Sequence, residues 1–155
     1  EADLAVARRL VEGCVWAYDA MGSGVGPEVF SVMPCDESEE EDGGCGWSEE
    51  KWLEEVNSVH RLQYGEHYQV PVERAKRLIE EHSLPRGFTA IDDPRYLLRP
   101  EAIESLFVLY RITGDVELQD QAWRMFEAIR KAAKTEIGYA AVEDVGAASP
   151  TKLDS

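Results

Sequence analysis

Charged residues with catalytic potential stand close together in one short stretch, Arg99-Pro100-Glu101 followed by Glu104. Proline suits the first position of a helix, because the backbone N–H that it lacks would be unpaired there. Glu101 then falls in the first helical turn, where unpaired N–H groups and the helix dipole favour a negative charge. An ionised carboxylate in this place suits a general base or a metal-associated ligand better than an acid.

Glu104 follows Glu101 by three residues and therefore lies on nearly the same helix face. Neighbouring carboxylates oppose each other's ionisation unless a cation, a water network or an arginine shares the site. Arg99 could be that cation, or it could bind a substrate hydroxyl through its rigid donor fork. Spacing alone leaves ordinary surface charge at a helix start as an alternative. Apolar residues on both sides, at 96–98 and 106–107, favour a site, because a partly buried charge is costly without a partner.

The helices that must hold this stretch follow from the spacing of apolar residues. One helix is predicted at 2–21, a second from Pro100 to Thr113 and a third from Asp115 to about 133. Glycine past one helix end and aspartate before the next give a short connection, which makes the last two helices antiparallel neighbours. The residues predicted to face inward are Leu4, Ala7, Leu10, Val11, Cys14, Val15 and Tyr18 in the first helix, Ile103, Leu106, Phe107 and Tyr110 in the second, and Leu118, Ala122, Met125, Phe126 and Ile129 in the third.

The chain between these helices is less regular. The pattern predicts extended backbone at 24–34, a short helix after an N-cap at Ser48, irregular structure at 59–70 and another helix opened by Pro71. The acidic run at 36–46 predicts a solvated surface loop, because charges this dense repel each other and cannot form a core. Residues 138–145 are typical of a short strand or hairpin arm.

Bulk composition argues against several classes of function. The 155 residues carry a net charge of −15, which repels phosphate backbones and disfavours nucleic-acid binding. No apolar run approaches the roughly 20 residues that span a bilayer.

The histidines and two of the tryptophans are weaker candidates for a site. The three histidines, His60, His67 and His82, lack the spacing of metal ligands. Trp16 and Trp123 fall on helical patterns, which favours core packing over stacking on a sugar.

The motif around Glu101 resembles the signature of a known family. Residues 96–107, YLLRPEAIESLF, followed by YRITGD at 110–115, are similar to the signature of the class I α-1,2-mannosidases, glycoside hydrolase family 47. Gly26-Pro27-Glu28-Val29 is similar to that family's Pro-Glu loop. Gly138-Tyr139 and Asp144-Val145 match its next loop.

This resemblance implies an all-α fold, in which residues 1–155 form the C-terminal portion of one (αα)7 helical barrel with short β-hairpin and loop decorations. It covers residues 1–34 and 84–154, whereas 36–83 resembles a family-variable insertion of the kind seen in fungal members. The remainder of the same barrel domain would then be a partner of this chain.

The family's activity is inverting removal of terminal α-1,2-linked mannose from high-mannose N-glycans, with bound Ca²⁺. By resemblance, Glu101 matches the catalytic carboxylate assigned as general base, and Arg99, Glu28 and Glu104 match substrate-binding residues of the pocket. Inversion also needs a carboxylic acid across the sugar, which would lie outside this chain, as would the threonine that ligates calcium directly. The chain alone is therefore expected to be inactive, with only water-mediated contact to calcium through Glu101 and Glu104.

The three cysteines also follow the family pattern. One cysteine of the family disulfide matches Cys14, and its partner would lie outside this chain. The resemblance therefore implies that Cys35 and Cys45 form a local pair, although the helical pattern alone also allows Cys14 to be a buried apolar residue. Disulfides and N-glycan substrates imply the lumen of the endoplasmic reticulum or Golgi, or secretion.

Two other functions stay open at this point. One is a catalytically weak, mannosidase-like lectin in glycoprotein quality control, against which the presence of Arg99, Glu101 and Glu104 argues. The other is an acidic helical interaction domain without sugar chemistry, against which the long match around residue 99 argues.

Overall fold

The computed structural model describes residues 2–35, 46–64 and 71–153. Their elements, in chain order, are α1 (Ala2–Asp19), β1 (Val29–Val32), α2 (Glu49–Tyr64), α3 (Val72–Glu81), β2 (Phe88–Asp93), α4 (Glu101–Thr113) and α5 (Glu117–Ala133). The chain divides into two compact units, Glu1–Glu28 with Pro94–Ser155, and Val29–Asp93. The mostly helical content with one small sheet agrees with the expected class, whereas the barrel stays a prediction.

The first unit packs α1, α4 and α5 against one another. The connection between α4 and α5 is the predicted one: Gly114 adopts a left-handed conformation with φ 72°, and its N–H donates to the Tyr110 carbonyl at 2.7 Å. The N-cap residue of α5 is Val116 and not the expected Asp115, but the Asp115 carboxylate still accepts the N–H of Glu117, the first residue of α5, at 3.2 Å.

The core of the first unit confirms part of the predicted apolar faces. Predicted residues that are buried include Val11, Val15, Tyr18, Leu106, Leu118, Met125 and Ile129. Val142, which is fully buried, forms isolated antiparallel bridges with both Tyr96 and Lys152. The segment predicted as a strand or hairpin arm therefore pairs through single bridges.

Several residues predicted to face inward are exposed instead. Leu10 is 67% exposed, Phe107 58% and Phe126 40%, and the tryptophans predicted to pack in the core, Trp16 and Trp123, are 42% and 63% exposed. The prediction of burial is wrong for these five side chains within this chain. Periodicity identifies an apolar face, but it does not reveal whether another element covers that face.

The second unit combines α2 and α3 with the antiparallel pair β1–β2. Phe30 of β1 is in register with Ile91 of β2, and the rings of Phe30 and Phe88 lie 5.0 Å apart. The predicted start of α2 is confirmed, because the Ser48 hydroxyl accepts the Lys51 N–H at 3.2 Å. The helix predicted to open at Pro71 is present as α3, with Pro71 as its N-cap residue and Val72 as its first residue.

Two features of this unit differ from the sequence analysis. Helix α2 is not short, and it continues through Tyr64, so the prediction of irregular structure is wrong for residues 59–64. Leu53 and Val56 are buried while α2 packs on α3 and β2, and this packing stabilises a helix whose later residues have no clear period. Strand β2 was not predicted. Residues 36–45 of the predicted acidic loop lie outside the described residues.

Candidate functional site

Helix α4 presents the predicted catalytic motif at its start. Pro100 is the N-cap residue, Glu101 is the first helical residue, and the Glu104 N–H donates to the Pro100 carbonyl at 3.0 Å. Both glutamates are therefore in the first turn, as the sequence predicts, and both are exposed in this chain. The helix dipole and the unpaired N–H groups of this turn favour negative charge there.

Glu28 lies beside this motif, although it is far away in sequence. Its Oε1 accepts the Leu97 N–H at 2.7 Å, and its Oε2 accepts a hydrogen bond from Arg99 Nη1 at 2.9 Å. The Glu28 side chain is only 9% exposed, whereas that of Arg99 is 61% exposed. Tertiary structure thus brings together two of the predicted site residues through a charge-assisted hydrogen bond.

Two buried tyrosines connect Glu28 to Glu101 electrostatically. Burial raises the pKa of Tyr96 to about 12, with further contributions from the negative charges of Glu101 and Glu28. The pKa of Tyr18 is also raised, mainly by burial, and Glu101 and Glu28 contribute there as well. The negative charges of Glu28 and Glu101 therefore both act on the same two phenol groups.

The role of the tyrosines was not predicted from the sequence. Tyr18 was assigned to an apolar helix face and Tyr96 to the apolar stretch before the motif, and both are indeed buried. The available signal was a phenol three residues before Arg99, but the electrostatic effect of Tyr96 on Tyr18 depends on tertiary packing. Burial therefore extends the protonated form of both hydroxyls to more alkaline pH than in a free tyrosine.

A well-formed cavity lies elsewhere, in the Val29–Asp93 unit. It has a volume of about 220 Å³ and is lined by Val56, His60, Leu78, His82, Leu84, Thr89, Ala90, Ile91 and Asp92. Its lining contains none of the predicted catalytic or substrate-binding residues. His60 contacts Arg74 at 3.2 Å, and His67 lies outside the described residues.

The structure bears on metal ligation and on the cysteines in separate ways. Within the described ranges, no group of three or more His, Cys, Asp or Glu side chains is arranged to hold a metal ion. Cys14 is a free cysteine of intermediate exposure in this chain. Cys45 lies outside the described residues, so its pairing with Cys35 stays a prediction. No helix in the described part of the chain is both long and apolar enough to cross a bilayer.

Comparison with known proteins matches the whole chain to one family. The model of glycosyl hydrolase family 47 matches residues 1–155. A probable mannosyl-oligosaccharide alpha-1,2-mannosidase 1B of Aspergillus fumigatus is 32% identical over 139 residues, covering 90% of this chain and 20% of that protein. A mannosyl-oligosaccharide 1,2-alpha-mannosidase of Arabidopsis thaliana is 49% identical over 63 residues, which cover 40% of this chain and 10% of that protein.

A solved structure gives the same result. The alpha-1,2-mannosidase from Trichoderma reesei superposes with a TM-score of 0.56 at 28% identity, covering 90% of this chain and 22% of that chain. The present chain spans about a fifth of the length of the fungal relatives it matches. With a family model matched from end to end and the Arg99–Glu101 motif at the start of α4, this chain belongs to glycosyl hydrolase family 47.

Proposed function

We propose that this chain is the C-terminal portion of an inverting exo-α-1,2-mannosidase that trims terminal mannose from high-mannose N-glycans. The names of its relatives, mannosyl-oligosaccharide alpha-1,2-mannosidases, support the substrate class. The observation that carries the proposal is the ion pair of Glu28 with Arg99, next to Pro100 and the exposed Glu101 at the start of α4. An exposed carboxylate can act as a base, and a guanidinium can donate hydrogen bonds to sugar oxygens.

The chemistry assigns one role to each of the exposed side chains. Glu101 accepts a proton from the attacking water as general base. Arg99 donates hydrogen bonds to sugar oxygens through its exposed fork, and Glu104 accepts hydrogen bonds from sugar hydroxyls or ordered water. Inversion requires a second carboxyl group that protonates the leaving oxygen, with room for a water between the two groups. That acid comes from outside this chain, so the isolated chain is inactive.

The exposed apolar side chains support the larger barrel. Each of the helices α1, α4 and α5 has large apolar residues in solvent, including Leu10, Ile112 and Trp123, which are 67%, 67% and 63% exposed. Large apolar side chains exposed on all three helices of this unit favour a partner that covers them. The remaining helices of an (αα)7 barrel, from the other four fifths of the protein's length in these relatives, are the partner that we propose for this surface.

Calcium is the proposed cofactor. Carboxylate oxygens are hard donors that suit calcium, and Glu101 and Glu104 lie together in the first turn of α4. Calcium takes 6–8 oxygen ligands, including waters, and the family resemblance implies that its direct protein ligand lies outside this chain. When bound, the ion would order water molecules near these two side chains. The proposed compartment is the lumen of the secretory pathway or the cell exterior.

The test is a Glu101→Gln substitution in the full-length protein, assayed on mannose-α-1,2-mannose. Loss of a general base is expected to lower kcat about 10²–10⁴-fold, because glutamine cannot accept the proton. Glu117→Gln is a matched control, since Glu117 is also the first residue of a helix and is exposed. It should leave kcat within about twofold of the wild type.

Three outcomes count against the proposal. Unchanged kcat in Glu101→Gln removes Glu101 from the mechanism. Glycan binding that is insensitive to a chelator, without release of mannose by the wild type, indicates a lectin. Full activity after calcium removal contradicts the proposed cofactor.

A further inference from the structure

One buried carboxylate holds the segment that leads into the catalytic motif. Glu28 accepts the Leu97 N–H through Oε1 and the Arg99 guanidinium through Oε2, at 2.7 and 2.9 Å. The Glu28 N–H in turn donates to the Arg95 carbonyl at 2.9 Å. Glu28 is therefore hydrogen-bonded to three of the five residues from Arg95 to Arg99, both ends included.

The segment that Glu28 holds contains a strained residue. Leu98 has a φ of 60°, a left-handed conformation that costs a non-glycine residue roughly 1–2 kcal/mol. Such a conformation persists only where the surroundings determine it. The bonds from Glu28 to Leu97 and Arg99, on either side of Leu98, supply that constraint.

The carboxylate of Glu28 is poorly accessible to a substrate. Each oxygen already accepts one N–H group, and the side chain is 9% exposed. Arg99, by contrast, uses Nη1 for Glu28 while 61% of its side chain is exposed. A sugar hydroxyl would therefore meet Arg99 rather than Glu28. Because Pro100 alone separates Arg99 from Glu101, the turn that orients the arginine also sets the first turn of α4.

We propose that Glu28 is a positioning residue: it fixes the Leu98 turn and thereby presents Arg99 and Glu101 to the same sugar ring. This inference rests on the proposed function. It assigns Glu28 an action through Arg99 instead of the direct substrate contact that the family resemblance implies. Misplacing reacting groups by about 1 Å can cost about 100-fold in rate, so the effect of losing this constraint is measurable.

The kinetic test is a double-mutant cycle in the full-length protein, between Glu28→Gln and Arg99→Gln. The glutamine at 28 keeps an amide oxygen for Leu97 but loses the charge that holds Arg99. Glu28→Gln alone is expected to lower kcat/KM about 30- to 100-fold on mannose-α-1,2-mannose. In the Arg99→Gln background, Glu28→Gln is expected to lower kcat/KM by less than about threefold. The reason is that the Arg99 guanidinium, through which Glu28 acts, is already absent.

Asp115→Asn is a matched control for a purely structural ion pair. Asp115 also accepts one guanidinium bond, from Arg8 at 2.8 Å, and one backbone bond, from Glu117 at 3.2 Å. The Asp115→Asn substitution should lower the thermal stability of the protein without lowering the kcat of the folded enzyme. An equal loss of kcat in Asp115→Asn and Glu28→Gln would overturn the proposal, as would additive losses in the cycle, which indicate direct contact of Glu28 with substrate.

A second measurement does not depend on activity. Hydrogen exchange of the segment from Leu97 to Glu101 is expected to be at least tenfold faster in Glu28→Ala than in the wild type, with α5 unaffected. Unchanged exchange would overturn the positioning role even if the enzyme is active. Absence of mannosidase activity in the wild type would instead refute the proposed function, whatever the exchange rates show.

Discussion

The Tyr18 ring lies directly against Gly26, so closely that a Cβ atom at position 26 would meet its Cε2 at 2.5 Å and its Cδ2 at 2.6 Å. Real Cβ atoms essentially never approach other atoms this closely. The contact allows the Gly26-Pro27-Glu28 loop to lie on a buried phenol of α1, and Glu28 reaches the α4 motif from this loop. Glycine at position 26 is thus required by a close approach between backbone and ring.

The first prediction concerns this contact. Gly26→Ala is expected to lower the free energy of unfolding by about 1–3 kcal/mol, because the ring or the loop must move to accommodate the methyl group. Gly13→Ala in α1 is the control, since a Cβ there meets nothing within 4 Å. It should raise stability by about 0.5–1 kcal/mol, because alanine favours a helix more than glycine does. Urea unfolding compares the two, and an equal effect of both changes would contradict the prediction.

The second prediction uses the raised pKa of Tyr96. Its folded pKa of about 12 lies above the ordinary value of 10.0, so the folded state favours the protonated phenol. This contribution is complete below pH 10 and is lost as the pH rises towards 12. Between pH 8 and pH 11, the free energy of unfolding of the wild type should fall by about 1 kcal/mol more than that of Tyr96→Phe. Urea unfolding at both pH values measures the difference, and parallel losses would refute it.

The third prediction concerns the ion pair of Arg8 with Asp115. The hydrogen bond from Arg8 is the largest of the effects that lower the pKa of Asp115, followed by the backbone bond from Glu117. Because the pKa of Asp115 is lower in the folded state, its ionisation stabilises the fold at pH values above the ordinary pKa of aspartate. This stabilisation disappears as the pH falls through the pKa of the folded state. Arg8→Gln should therefore lower the Tm at pH 7, by a difference that shrinks as Asp115 becomes protonated.

Arg9→Gln is the control for this pair, because Arg9 is the exposed neighbour on the same helix. Its Tm should stay closer to the wild-type value at pH 7. Thermal unfolding between pH 2 and pH 7 measures both variants. A Tm difference for Arg8→Gln that is constant over this range would show that the ion pair does not cause it.

The fourth prediction concerns Cys14, which is a free cysteine within this chain. In the full-length protein, we expect Cys14 to be bonded to a cysteine outside residues 1–155. Alkylation before reduction, followed by peptide mass spectrometry, should leave the Cys14 peptide unlabelled until a reductant is added. Labelling of Cys14 in the unfolded but unreduced protein would contradict this pairing.

The local elements around the site were predictable from the sequence. Proline before Glu101 begins α4, Gly114 ends it in a left-handed conformation, and Asp115 accepts the N–H of the first residue of α5, because each depends on the conformational preferences of a few adjacent residues. The first-turn position of Glu101 follows from the same local chemistry. The long α2 was underestimated, because its later turns depend on packing against α3 and β2.

The contact between Glu28 and Arg99 depended on the tertiary structure alone. The two side chains are 71 residues apart along the chain and meet at 2.9 Å, a proximity that no local periodicity encodes. Burial of Phe107 and Trp123 likewise failed as a prediction, because an apolar helical face shows only that a partner is favourable. The sequence by itself determined where α4 and α5 begin and end and which residue types carry the chemistry. Tertiary packing decided which of those residues share a site, because local sequence preferences do not set the distance between segments that are far apart along the chain.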